Sequence, residues 1–118
     1  INGGAVWGFG MAATERHVYD PQNALPANVG FHQAKLPTIL DVPIEMPNGA
    51  VDIADPYNPA GGRGVGEPSQ GSAVAAVTSA IADALGHSFN RVPVTSDMIV
   101  NFANDADQEA RLLALNTF

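Results

Sequence analysis

The strongest periodic signal lies in the second half of the chain. Val74, Val77, Ile81 and Leu85 recur at helical spacing through P-S-Q-G-S-A-V-A-A-V-T-S-A-I-A-D-A-L-G, backed by alanines. Pro68 suits the first turn and Gly86 a stop, so the pattern predicts a helix that begins beside Glu67 and ends at Gly86. No charged residue occurs between Glu67 and Asp83, and a helix with so little charge is expected to be buried nearly all round. In P-V-T-S-D-M-I-V-N-F, Thr95 or Ser96 is the expected cap of a second short helix through Met98, Ile99 and Phe102. From Asn104 the tail is polar, then mildly amphipathic around Leu112, Leu113 and Leu115.

Residues 3–15, G-G-A-V-W-G-F-G-M-A-A-T-E, predict a short glycine-rich helix. Each interior glycine costs about 1 kcal/mol relative to alanine, so tertiary packing has to hold the segment. Gly4 and Gly8 fall on one face, which permits close approach by another helix or by a ligand. The middle of the chain carries Pro21, Pro26, Pro37, Pro43, Pro47, Pro56 and Pro59, which rules out long regular elements. Short extended pieces at 29–33 and 40–45, joined by turns such as P-N-G at 47–49, fit best. The expected class is α+β, with few helices, short strands and long proline-rich connections. An irregular connection of that length serves a function or an interface more often than slack.

Composition changes this picture in one respect. Charged residues are 14% of the 118, against the usual quarter, and alanine, glycine and asparagine take their place. A free-standing domain of this size covers its large relative surface with charge. The outside of this chain is therefore expected to be buried against other protein. The sequence opens at Ile1 without an initiator methionine or a signal-peptide pattern. Residues 1–118 are expected to be a piece of a larger protein, or a subunit of a tight complex, rather than an autonomous domain. The alternative is a small acidic domain whose leader was removed.

Net charge is −7, and Arg16, Lys35, Arg63, Arg91 and Arg111 are scattered, so no basic stripe exists for a nucleic acid. No apolar run approaches the roughly 18 residues of a membrane span. With no cysteine, this chain makes no disulfide, thiolate zinc site or iron–sulfur ligation. His17, His32 and His87 show no i, i+4 pairing and are read as structural, so no metal ligand is assigned.

The candidate chemistry lies in G-G-R-G-V-G-E-P-S-Q-G, residues 61–71, where Glu67 follows alternating glycines and precedes Pro68. A helix N-terminus favours the ionised carboxylate, whereas burial among apolar neighbours disfavours it. A carboxylate between those effects can act as a general base if a substrate proton lies within reach. The alternative is an acidic first-turn residue that only stabilises its helix. A dinucleotide fingerprint does not fit, because D-I-A-D-P-Y-N-P-A is no hydrophobic strand and the spacing is G-x-G-x-G-E. Arg63 could meet a phosphate or an acidic partner, or be solvated. Ser69 and Gln70 could face a cofactor or cap the helix, and Trp7 reads as packing.

G-V-G-E-P followed by a small-residue helix resembles the C-terminal part of the molybdopterin-binding large subunit of the xanthine oxidase family, the molybdenum hydroxylases. G-G-A-V-W-G-F-G-M-A-A-T-E resembles the family's glycine-rich helix near the molybdopterin. A-K-L-P-T-I-L-D-V-P-I-E resembles its K-x-P-x-x-x-D/S-x-P segment, and R-V-P-V-T-S-D-M-I its short closing helix. The four stretches keep the family's order and span residues 3 to 100.

The resemblance implies that Glu67 is catalytic, taking a proton from a hydroxyl ligand on molybdenum while hydride passes to a sulfido ligand. It implies that Gly64, Val65 and Gly66 bring backbone against the pterin cofactor, of the cytosine dinucleotide form. It implies an oxidoreductase for an aldehyde or an N-heterocycle, with water as oxygen source, in the cytoplasm or else the periplasm. Partners would be the remainder of the molybdenum subunit, a [2Fe–2S] subunit and a flavin (FAD) subunit. The family's pterin-contacting glutamine would fall before Ile1. The other reading is a non-catalytic assembly piece that keeps the fold without binding metal.

Overall fold

The computed structural model describes residues 1–104. In chain order it contains α1 (Asn2–Ala13), α2 (Phe31–Ala34), a 3-10 turn at Ile39–Asp41, α3 (Glu67–Leu85) and α4 (Ser96–Ala103). The amphipathic stretch expected at Leu112, Leu113 and Leu115 lies outside the described residues.

The glycine-rich helix exists because α3 holds it. α1 packs lengthwise on α3. A Cβ added at Gly4 would lie 3.0 Å from the carbonyl oxygen of Gly66, and one at Gly8 would lie 2.6 Å from the Cβ of Ala73. The two helices therefore run side by side from a common end, at a separation that larger side chains would prevent. Of the two uses open to Gly4 and Gly8, the observed one is helix contact. Further along, Gly10 is covered by Pro37, and the amide of Val94 donates to the carbonyl of Ala12 at 2.7 Å. Ala12 and Val94 are the buried apolar side chains among the described residues.

α3 starts with Pro68 in its first turn and ends at Gly86, whose φ of 62° is the left-handed stop that glycine permits. Its burial differs from expectation. Val74, Val77, Ile81 and Leu85 are half-buried, while Ala75, Ala76, Ser79, Ala80 and Ala84 are exposed. No residue of α3 is fully buried, because one short helix can cover only one of its faces. Thr95 is the N-cap residue of α4, as one of the two expected caps, though its side chain bonds no helix amide.

The expected strands are not present among the described residues. The pairing seen is one isolated antiparallel bridge between Tyr19 and Pro26. Where extended pieces were expected, residues 31–34 form α2, stopped by Lys35 at a φ of 63°, and residues 39–41 form the 3-10 turn. Thr38 and Asp41 cap that turn reciprocally, the Thr38 amide donating to the Asp41 carboxylate at 2.7 Å. Such local bonds suit a segment whose prolines remove the donors that a strand ladder requires. The described part is thus mostly helical, with long irregular connections.

The connection from residue 29 to 57 leaves many of its large apolar side chains in solvent. Leu40 is 92% exposed and Tyr57 93%, and Phe31, Ile39, Ile44, Val51 and Ile53 are similarly bare.

Candidate functional site

Glu67 is the first residue of α3, and its side chain is exposed at the end where α1 and α3 both begin. The expected burial of this carboxylate is not found in the chain by itself, since the elements present supply no wall on its outer side. Gly66, the residue before it, is the N-cap position with extended φ of −173°. Its carbonyl accepts from the Ser69 amide at 3.2 Å and the Ser69 hydroxyl at 2.7 Å. Ser69 thus caps from within the first turn, and the same hydroxyl is what a side chain at Gly4 would strike. Gln70 reaches the other way, its amide nitrogen donating to the sulfur of Met11 on α1. Of the roles open to Ser69 and Gln70, the structure gives both a place in the α1–α3 junction.

Gly64, Val65 and Gly66 form an exposed strap leading into Glu67. A Cβ placed at Gly64 or Gly66 would meet nothing within 4 Å. Among the described residues, the amides of Gly64, Val65 and Gly66 donate to no other group. Bare backbone with free donors can accept a flat, polar group at close range, and both glycines keep side chains out of its way. Gly64, Val65, Gly66 and Glu67, the four residues singled out in the sequence, form one exposed run that leads into the first turn of α3.

Upstream of the strap, Arg63 pairs with Asp55 through Nε at 2.8 Å. This partner was missed in the sequence, where Arg63 was assigned a phosphate, a foreign acidic surface or solvent. The signal lay in D-P-Y-N-P-A-G-G-R, a turn-forming stretch that brings its first residue back to its last. Hydrogen bonds from the Tyr57 amide and then Arg63 hold the Asp55 carboxyl below the ordinary value of 3.8.

On the other side of α1, Asn2, Gly3 and Val6 line a shallow groove of about 480 Å³ with Val42, Pro43, Ile44 and Met46. The K-x-P segment therefore flanks the same end of α1 as Glu67. Trp7 is 48% exposed, less enclosed than a packing residue is expected to be. His87 stacks on Phe102 with ring centroids 4.4 Å apart and meets Phe89 edge-on, a structural cluster. Among the described residues, no group of three or more His, Cys, Asp or Glu side chains is arranged to hold a metal. No helix among them is long and apolar enough to cross a membrane.

Comparison with known proteins gives two kinds of result. No family model matches the chain. The xanthine dehydrogenase molybdenum-binding subunit of Escherichia coli O157:H7 is 30% identical over 95 residues, which cover 80% of this chain and 12% of that subunit. Subunit gamma of the 6-hydroxypseudooxynicotine dehydrogenase complex of Paenarthrobacter nicotinovorans is 36% identical over 101 residues, covering 84% of this chain and 13% of the relative. The chain thus spans about an eighth of the length of these curated relatives.

Proposed function

This chain belongs to the xanthine oxidase family of molybdenum hydroxylases as part of the molybdenum-binding large subunit, and we propose that it is a C-terminal portion with Glu67 as catalytic base. The observation that carries this reading is the placement of Glu67. One carboxylate stands free at the common end of two packed helices, behind a strap whose backbone is bare. An acid serving only its own helix would need neither the strap nor the free amides.

The strap suits a flat cofactor: Gly64 and Gly66 offer open backbone, and Val65 carries a modest apolar side chain that is 64% exposed. These three residues would lie along the pterin. When bound, the molybdenum cofactor supplies the two-electron oxidation. Glu67 contributes proton transfer: its carboxylate accepts the proton released as a water-derived oxygen becomes the nucleophile, a role worth about 10²- to 10⁴-fold in rate. The rest of the subunit would close over this end and exclude water, which strengthens each electrostatic contact there.

The uncovered apolar side chains of residues 29–57 support the remainder of the molybdenum subunit as the partner that buries them. A [2Fe–2S] subunit and an FAD subunit would carry electrons away, and one relative is named as a subunit of a dehydrogenase complex. The substrate class is an aldehyde or an N-heterocycle, and the naming of another relative for xanthine, a purine, favours the heterocycle. A cytosine dinucleotide form of the cofactor and a cytoplasmic location complete the reading.

The test is Glu67→Gln in the assembled, molybdenum-containing enzyme. Turnover should fall at least about 100-fold while molybdenum content and assembly stay as they were. Retained turnover would overturn the assignment of Glu67 and favour an assembly role.

A further inference from the structure

The strap that carries Glu67 has little stiffness of its own, because Gly62, Gly64 and Gly66 are exposed and add no side-chain packing. Its position is set at its two ends. Downstream, Ser69 ties the Gly66 carbonyl to α3 where α3 meets α1. Upstream, the turn from 55 to 63 closes on a single residue. The amide of Asp55 donates to the Gly61 carbonyl at 2.9 Å. Its Oδ1 accepts from the Tyr57 amide at 2.9 Å, and its Oδ2 accepts from Arg63 Nε at 2.8 Å. Asn58 completes the turn, bonding the Ala60 amide with its oxygen and the Gly62 carbonyl with its nitrogen. Gly61, with φ of 67°, lies against Ala54, where a side chain would be strained.

One carboxylate therefore joins the start of the turn to the residue immediately before the strap. The Asp55 side chain is 16% exposed while that of Arg63 is 75% exposed, so the anchor is sheltered and the arm reaches in to it. We propose that Asp55 is a positioning residue for Glu67, fixing through Arg63 the point from which the strap departs and so the reach of the Glu67 carboxylate. The inference rests on the reading of Glu67 as the base, and it gives Arg63 a role inside the chain.

Asp55→Asn separates the two functions of the side chain. Asparagine keeps the oxygen that receives the Tyr57 amide, but presents an amide nitrogen that cannot accept from Arg63. In the assembled, molybdenum-containing enzyme, kcat should fall about fivefold with KM and molybdenum content unchanged. Amide hydrogen exchange across residues 55–61, where the amides of Asp55, Tyr57, Asn58, Ala60 and Gly61 are bonded within the turn, should quicken by about tenfold while α3 is unaffected. Arg63→Gln, which breaks the same pair from its exposed end, should reproduce both effects, and Arg63→Lys should restore part of the rate. Unchanged kcat and exchange in both Asp55→Asn and Arg63→Gln would overturn the proposal, as would loss of molybdenum in either. If Glu67→Gln is inactive and these two variants are fully active, positioning alone is wrong. If Glu67→Gln is active, the base assignment itself has failed.

Discussion

Gly8 of α1 lies so close to Ala73 of α3 that a Cβ on the glycine would stand 2.6 Å from the Cβ of the alanine. Two small residues thus set the spacing of the pair of helices that presents Glu67. Gly8→Val should force the helices apart and lower the stability of the assembled protein by about 1–3 kcal/mol. Gly3, with nothing within 4 Å of its Cβ position, is the control, and Gly3→Ala should change stability by less than about 1 kcal/mol. Urea unfolding of both variants reads the difference. Equal effects would mean that the contact does not limit helix spacing.

Shortening the proposed base should be less damaging than neutralising it. Glu67→Asp keeps a carboxylate at the start of α3 but withdraws it by one methylene. A misplacement on the order of 1 Å costs about 100-fold in rate, so turnover should lie between wild type and Glu67→Gln. Steady-state kinetics on the three enzymes at equal molybdenum content orders them.

Three carboxyls define an acid-sensitive window. Asp41 is held below the ordinary value of 3.8 by the Thr38 amide and hydroxyl, Asp55 by the Tyr57 amide and Arg63, and Asp97 chiefly by the Thr95 hydroxyl. Each favours the folded state when ionised. Their contribution is therefore complete above the ordinary value of 3.8 and is lost as pH falls through the lowered ones. Carbon-13 titration of the side-chain carboxyls should find these three titrating below the unfolded values. Ordinary values would show that the turns are not formed in solution.

Alone, the chain should lack a cooperative fold. With Ala12 and Val94 as the buried apolar side chains among the described residues, and Leu40, Ile44 and Tyr57 in solvent, there is little core to resist unfolding. Heating residues 1–118 should give a broad, weak transition with binding of a hydrophobic dye, and joint expression with the rest of the molybdenum-binding subunit should sharpen it. A sharp transition of the isolated chain would contradict this.

The helices were legible in the sequence where local chemistry fixes them. Pro68 and Gly86 bracket α3, and the stripe from Val74 to Leu85 identifies its half-buried side. The strap and Glu67 were legible for the same reason, since glycine spacing before a helix start is a local property. The short middle elements were misread as strands because Thr38 and Asp41, and the left-handed Lys35, settle the backbone through bonds that hydropathy does not display.

What the sequence by itself determined is the order of the three longer helices, the absence of charge on α3 between Glu67 and Asp83, and a single carboxylate behind alternating glycines. Only the tertiary structure decided that Gly4 and Gly8 serve helix contact, that α3 is covered on one face, and that Arg63 answers to Asp55. Helix starts and stops follow from residues a few positions apart. Which surfaces meet, and which charge finds which, depends on packing between segments that no local pattern records.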